Sequence, residues 1–214
     1  MTETERTTTP PIVSAIADPA PLGLGAFALT TFLLSASNAG WTDGSDAWLG
    51  YAFAYGGLAQ LLAGMWEFRN RNVFGATAFS TYGAFWIGLG LYVTQVVPKQ
   101  AAAAAAAKHV PVETIVQNDL GWILLAFAIF NTYMLLWSTQ VSAAVVAVFL
   151  TLELTEIILF IGNFSGSTGT IKLGGWLGIL TALCAWYASA AGVINGMTGR
   201  PVLRVGGPLV RRPV

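Results

Sequence analysis

The sequence predicts an all-α polytopic membrane protein, a bundle of six transmembrane helices with both termini in the cytoplasm. Two observations carry that class. Hydrophobic residues fill 55% of the 214 positions and charged residues only 9%, with a mean hydropathy of +0.66; soluble domains carry roughly 25% charge. In addition, the stretches at about 22–39, 48–66, 73–97, 120–138, 141–162 and 174–196 are each apolar over a span-like length. A helix needs about 20 such residues to cross the hydrocarbon layer.

The elements follow in order. Residues 1–17 hold Glu3, Glu5 and several threonines, with no apolar run before Leu22. They read as a flexible tail, no secretory leader is expected, and the first span serves as its own insertion signal. Asp18-Pro19-Ala20-Pro21 opens that span, and proline suits a first helical turn because its missing N–H would be unsatisfied there. The segment 98–119, with the Ala101–Ala107 run, is expected as a surface helix or a loose connection. The six-helix domain covers 18–199, and 200–214 forms a basic, irregular tail. Arg6, Arg69, Arg71, Arg200, Arg204, Arg211 and Arg212 flank one side and Lys99, Lys108 and Lys172 the other. The positive-inside rule places the arginine-rich side in the cytoplasm.

Composition also excludes functions. Ten basic and ten acidic residues cancel, leaving no electrostatic footprint for nucleic acid. One cysteine, Cys184, and one histidine, His109, supply no metal cluster, no disulfide framework and no nucleophile–base pair. No cofactor or metal is expected, and the chain does not read as an enzyme.

Polar residues recur at helical spacing. Span 1 aligns Phe27, Thr30, Thr31, Leu34 and Asn38; span 2 aligns Gly56, Gln60 and Gly64; span 3 stacks Tyr82, Phe85, Trp86 and Leu89. In span 5, Leu152, Glu156, Leu159 and Asn163 share a face. Amides and hydroxyls of this kind bond helices together in any membrane bundle, and small residues let helices approach; the Gly174/Gly178 and Gly192/Gly196 pairs of span 6 read as packing. Glu67, beside Arg69 and Arg71 at the end of span 2, reads as an interfacial ion pair. Glu156 differs, because a carboxyl at mid-membrane depth is costly and by default marks a functional path. Glu153 lies on the flank of the same helix.

The segment Asp18-Pro19-Ala20-Pro21-Leu22-Gly23-Leu24 resembles the Asn-Pro-Ala-Pro-Leu-Gly-Leu signature of the acetate uptake transporter family, which includes the bacterial succinate–acetate permeases. The resemblance continues through Tyr55–Gln60, Ala63-Gly64, Glu67, Asn72–Gly75, Thr77–Phe79 and Tyr82–Trp86. It resumes at Gly162-Asn163 and Gly174–Gly178. It implies a hexamer of six-helix protomers in the cell membrane. Each protomer would carry acetate and related small monocarboxylates, with succinate a candidate, together with protons. By motif position, a Phe–Tyr–Leu constriction falls on Phe27, Tyr82 and Leu152. Thr30, Thr31, Asn38, Gln60 and Asn163 are the candidate polar contacts along the pathway.

Two departures stand out. Asp18 replaces the signature asparagine, though an aspartate still caps a helix. Glu153 and Glu156 occupy positions that are mostly apolar in the family. Three readings of Glu156 stay open: a protonated acid that couples protons to acetate, a side chain turned away from the pathway, or a sign of another solute. A channel for urea, a short amide or ammonium is therefore the alternative. A faint echo, Gly25-Ala26-Phe27-x3-Thr31 against Leu125-Ala126-Phe127-x3-Asn131, hints at a repeat of the two halves.

Overall fold

A computed structural model describes residues 16–42, 47–107 and 111–210. Among these residues all the regular structure is helical: α1 (Ala20–Asn38), α2 (Leu49–Phe53), α3 (Gln60–Arg69), α4 (Val73–Leu91), α5 (Val97–Ala107), α6 (Val112–Ser138), α7 (Ala143–Ser165) and α8 (Thr168–Thr198). Wider π-helical turns at Ala54–Ala59 and Tyr92–Val96 join α2 to α3 and α4 to α5. Arg6, Lys108, His109, Arg211, Arg212 and residues 1–15 of the expected tail lie outside the described residues.

Local chemistry sets the helix ends. The Asp18 carboxylate accepts from Ala20 N at 3.0 Å, with Pro19 and Pro21 flanking the first turn of α1. Asn72, Ser142 and Ser167 accept from the backbone N–H groups of Gly75, Val145 and Thr170, opening α4, α7 and α8. Such side-chain caps satisfy donors that have no partner inside the helix. Gly166 closes α7 in the left-handed region at φ 63°, a conformation that glycine adopts without steric cost.

Four helices, α1, α6, α7 and α8, are long and apolar enough to cross a bilayer. Their outward faces carry large apolar side chains, among them Trp122, Ile129 and Leu136 on α6 and Trp176, Leu180 and Leu183 on α8. The segment 98–119 is more regular than a loose connection: helix runs from Val73 to Ala107 and resumes at Val112. The alanine run supplies the strongest helix formers available.

α1 packs along α8, α8 along α7, α7 along α6, and α3 along α4. Close approach needs small residues. A Cβ on Gly178 would collide with the Ser35 side chain, and one on Gly56 would sit 2.5 Å from Thr30 Oγ1. Gly56 and Gly64 consequently serve different contacts, with α1 and with Ser80 of α4. Gly56, Gln60 and Gly64 are all buried, so the expected stripe holds across the π-helical turn that ends at Ala59.

Glu67 corrects the ion-pair expectation. It is wholly buried at the end of α3, where Asn70 Nδ2 donates to its Oε2 at 2.9 Å. Beyond α8, residues 200–210 are irregular but held. Ala144 N donates to Val205 O, Tyr187 Oη to Arg204 O, and Leu209 N to Thr139 O.

Candidate functional site

Three cavities follow one another through the bundle, and α1, α4 and α7 line all of them in the same order. The first is lined by Leu24 and Phe27 of α1, Gln60 of α3, Phe79 and Tyr82 of α4, and Phe149 and Leu152 of α7. A middle cavity of about 50 Å³ takes Thr31 and Ser35, then Phe85 and Trp86, then Thr155 and Glu156. The last, about 270 Å³, takes Asn38, Leu89, Val93 and Asn163, with Trp48, Leu120 and Ile171.

Phe27, Tyr82 and Leu152 are the residues that border both the first and the middle cavity. They meet because three helices present one apolar side chain each at one level. All three are buried in a single cluster, at 5%, 4% and 6% exposure. Phe27 meets Tyr82 edge to face, with ring centroids 5.6 Å apart. Phe127 and Phe130 of α6 hold the Tyr82 ring from the other side, at 6.0 Å and 5.5 Å. Offset and edge-on geometries of this kind suit the ring quadrupoles.

A polar network backs this apolar layer. Tyr82 Oη donates to Asn131 Oδ1 at 3.0 Å and lies 3.4 Å from Glu156 Oε1. Asn131, itself fully buried on α6, donates from Nδ2 to Phe149 O at 3.0 Å and to Glu153 Oε2 at 2.7 Å. Thr132 Oγ1 donates to the other Glu153 oxygen at 2.8 Å. The two carboxyls thus divide: Glu153 turns to α6, and Glu156 lines the middle cavity.

The remaining sequence-predicted residues separate similarly. Thr31 and Asn38 line the middle cavity, and Asn38 and Asn163 the last one; Asn163 also donates to Leu159 O. Gln60 lines the first cavity, with its Oε1 buried and without a hydrogen-bond partner among the described residues. Thr30 is not brought to these walls: it is wholly buried against Gly56 and donates to Ala26 O. The signature residues Pro19, Ala20, Pro21, Leu22, Gly23 and Leu24 build the start of α1, where Ser189 of α8 donates to Pro21 O at 2.6 Å.

The family profile described as GPR1/FUN34/yaaH matches residues 2–204. The chain belongs to this family. It is 41% identical over 187 residues to acetate permease A of Emericella nidulans, covering 84% of this chain and 62% of the permease. The chain therefore spans less than two thirds of that fungal relative's length. It is 34% identical over 191 residues to the succinate-acetate/proton symporter SatP of Escherichia coli, covering 89% of this chain and 96% of the symporter. A solved structure of the bacterial acetate channel SatP superposes with a TM-score of 0.78 at 31% identity, over 89% of this chain and 99% of that one. The fold is that of the family, and the chain is a multi-pass protein of the cell membrane.

Sequence reasoning missed Asn131 as the partner that ties Tyr82 to Glu153. It stood in view as a polar residue inside an apolar span, noticed only in the echo between the two halves. The aromatic stacking of Trp86 is legible in the sequence; that its buried indole N–H has no hydrogen-bond partner among the described residues is not.

Proposed function

We propose that this protein carries acetate and related small monocarboxylates across the cell membrane, moving them together with protons through a pathway in each protomer. What supports the reading best is the family membership, with relatives named for acetate transport, together with a file of cavities threaded by α1, α4 and α7. In this reading the spans number six, both termini face the cytoplasm, the assembly is a hexamer, and the activity is transport without enzymatic chemistry.

Phe27, Tyr82 and Leu152 form the constriction. A methyl or methylene group passes an apolar ring at little cost, whereas a hydrated ion must shed water without replacement. Gln60 on one side, and Thr31, Asn38 and Asn163 on the other, offer donors too weak singly to trap a carboxylate. Glu156 carries the coupled proton and Glu153 supports it through Asn131. An ionised Glu156 would oppose an anion: at 4 Å the repulsion is about 4 kcal/mol at an effective dielectric of 20.

The test is labelled acetate influx into proteoliposomes, with and without an inward proton gradient, competed by succinate, urea and ammonium. Saturable influx blocked by short carboxylates and raised by the gradient is the expected result. Passage of urea or ammonium without acetate would overturn it.

A further inference from the structure

The middle cavity is walled by Phe27, Phe85, Leu124, Leu152 and Leu159, yet three polar atoms on its lining residues have no hydrogen-bond partner among the described residues: Thr31 Oγ1, Trp86 Nε1 and Glu156 Oε2. Their residues are 5%, 2% and 4% exposed. Buried polar groups in folded proteins are nearly always paired. Three unpaired ones around a single cavity call for a polar occupant.

Donor chemistry narrows that occupant. An indole N–H can only donate, and a threonine hydroxyl is free to do so. The occupant must therefore bring acceptors, and an ionised carboxylate is acceptor-only with about four lone-pair sites. Size narrows it further. A water requires about 10–15 Å³ of this kind of volume, so a cavity of about 50 Å³ suits roughly four small heavy-atom groups. Apolar walls suit a methyl better than a second charge.

We propose that Thr31 Oγ1, Trp86 Nε1 and Glu156 Oε2 form a subsite for one carboxylate group of a two-carbon acid, with Thr31 and Trp86 donating to it and Glu156, in its acid form, donating the third hydrogen bond. The proposal rests on the transport reading above and names the contacts made beside its constriction.

Hydrogen-bond bookkeeping around Tyr82 supplies the proton. Both Asn131 amide protons are committed, to Phe149 O and Glu153 Oε2, so Oδ1 faces Tyr82 and takes the phenolic proton. The Tyr82–Glu156 contact at 3.4 Å then holds a proton only when Glu156 brings one. The titratable groups facing Glu156 are Tyr82 from α4 and Glu153 on its own helix. From α1 and α6, Thr31 and Asn131 are uncharged, and Thr181 of α8 bonds to Thr155. A glutamic acid has one proton, which serves either Tyr82 from Oε1 or the occupant from Oε2. Filling the subsite and releasing Tyr82 are thus the same event.

The experiment uses the full chain in lipid nanodiscs, labelled with 15N at the tryptophan indoles. The Trp86→Phe variant identifies the Trp86 N–H resonance by its loss. Sodium acetate is expected to shift that resonance saturably while sodium chloride leaves it in place, and Thr31→Val to raise the half-saturating acetate concentration at least fivefold. Acetate influx is measured on the same preparation. Influx with an unmoved Trp86 resonance, or a shift produced equally by chloride, overturns the subsite and leaves the transport reading standing. A saturable shift without influx upholds the subsite and overturns the transport reading.

Discussion

The hydroxyl of Tyr82 donates to Asn131 across 49 positions of sequence, at 3.0 Å. This bond joins the ring beside Phe27 to two carboxyls three residues apart on α7, the buried Glu156 and the half-buried Glu153.

Asn131→Leu removes two donors and one acceptor from this buried network. Leaving such groups unpaired costs about 1–3 kcal/mol each, and for a chain of this size each kcal/mol is worth roughly 2–4 °C of Tm. A fall of several degrees is expected by thermal unfolding in detergent. A change of less than one degree would show that the network does not hold the bundle.

Glu156→Gln keeps the shape and a donor but cannot exchange a proton. The variant is expected to assemble normally while acetate uptake loses its response to an inward proton gradient. Uptake measured across pH checks this, and a profile identical to that of the unmodified protein removes Glu156 from the coupling.

Leu152→Ala takes three carbons from the border between the first and middle cavities. Uptake of propionate and butyrate relative to acetate is expected to rise several-fold. Competition of labelled acetate influx by the longer acids is the measurement, and unchanged size selectivity would exclude Leu152 as a gate.

Gly178→Leu places a side chain where Ser35 already lies. Because α1 and α8 touch through this point, the variant is expected to lose its monodisperse peak in size-exclusion chromatography. Ser35→Gly in the same chain should restore part of it; retention of the peak by Gly178→Leu alone would mean that the two helices can part there.

Much of this was legible in the sequence because membranes impose simple rules. Apolar length located α1, α6, α7 and α8, and helical spacing put Phe27, Tyr82 and Leu152 on inward faces. The direction of Glu153 was not legible: its place on the flank of α7 gave no hint that Asn131 and Thr132 wait on α6. Pairing between helices depends on the angle and register at which they pack, and one-dimensional periodicity does not carry that information. The same reason explains Thr30, which shares a stripe with Thr31 yet packs against Gly56.

The bond from Ser189 to Pro21 spans 168 positions, and that distance has a cost in time as well as topology. At about 5–20 residues per second of synthesis, α1 waits roughly 10–30 s before its partner α8 exists. Throughout that interval the side of α1 that Gly175 and Gly178 later cover, with Ser35 upon it, lacks its α8 partner. The α1–α8 seam, with its bond from Ser189 to Pro21, therefore closes only once α8 has been made.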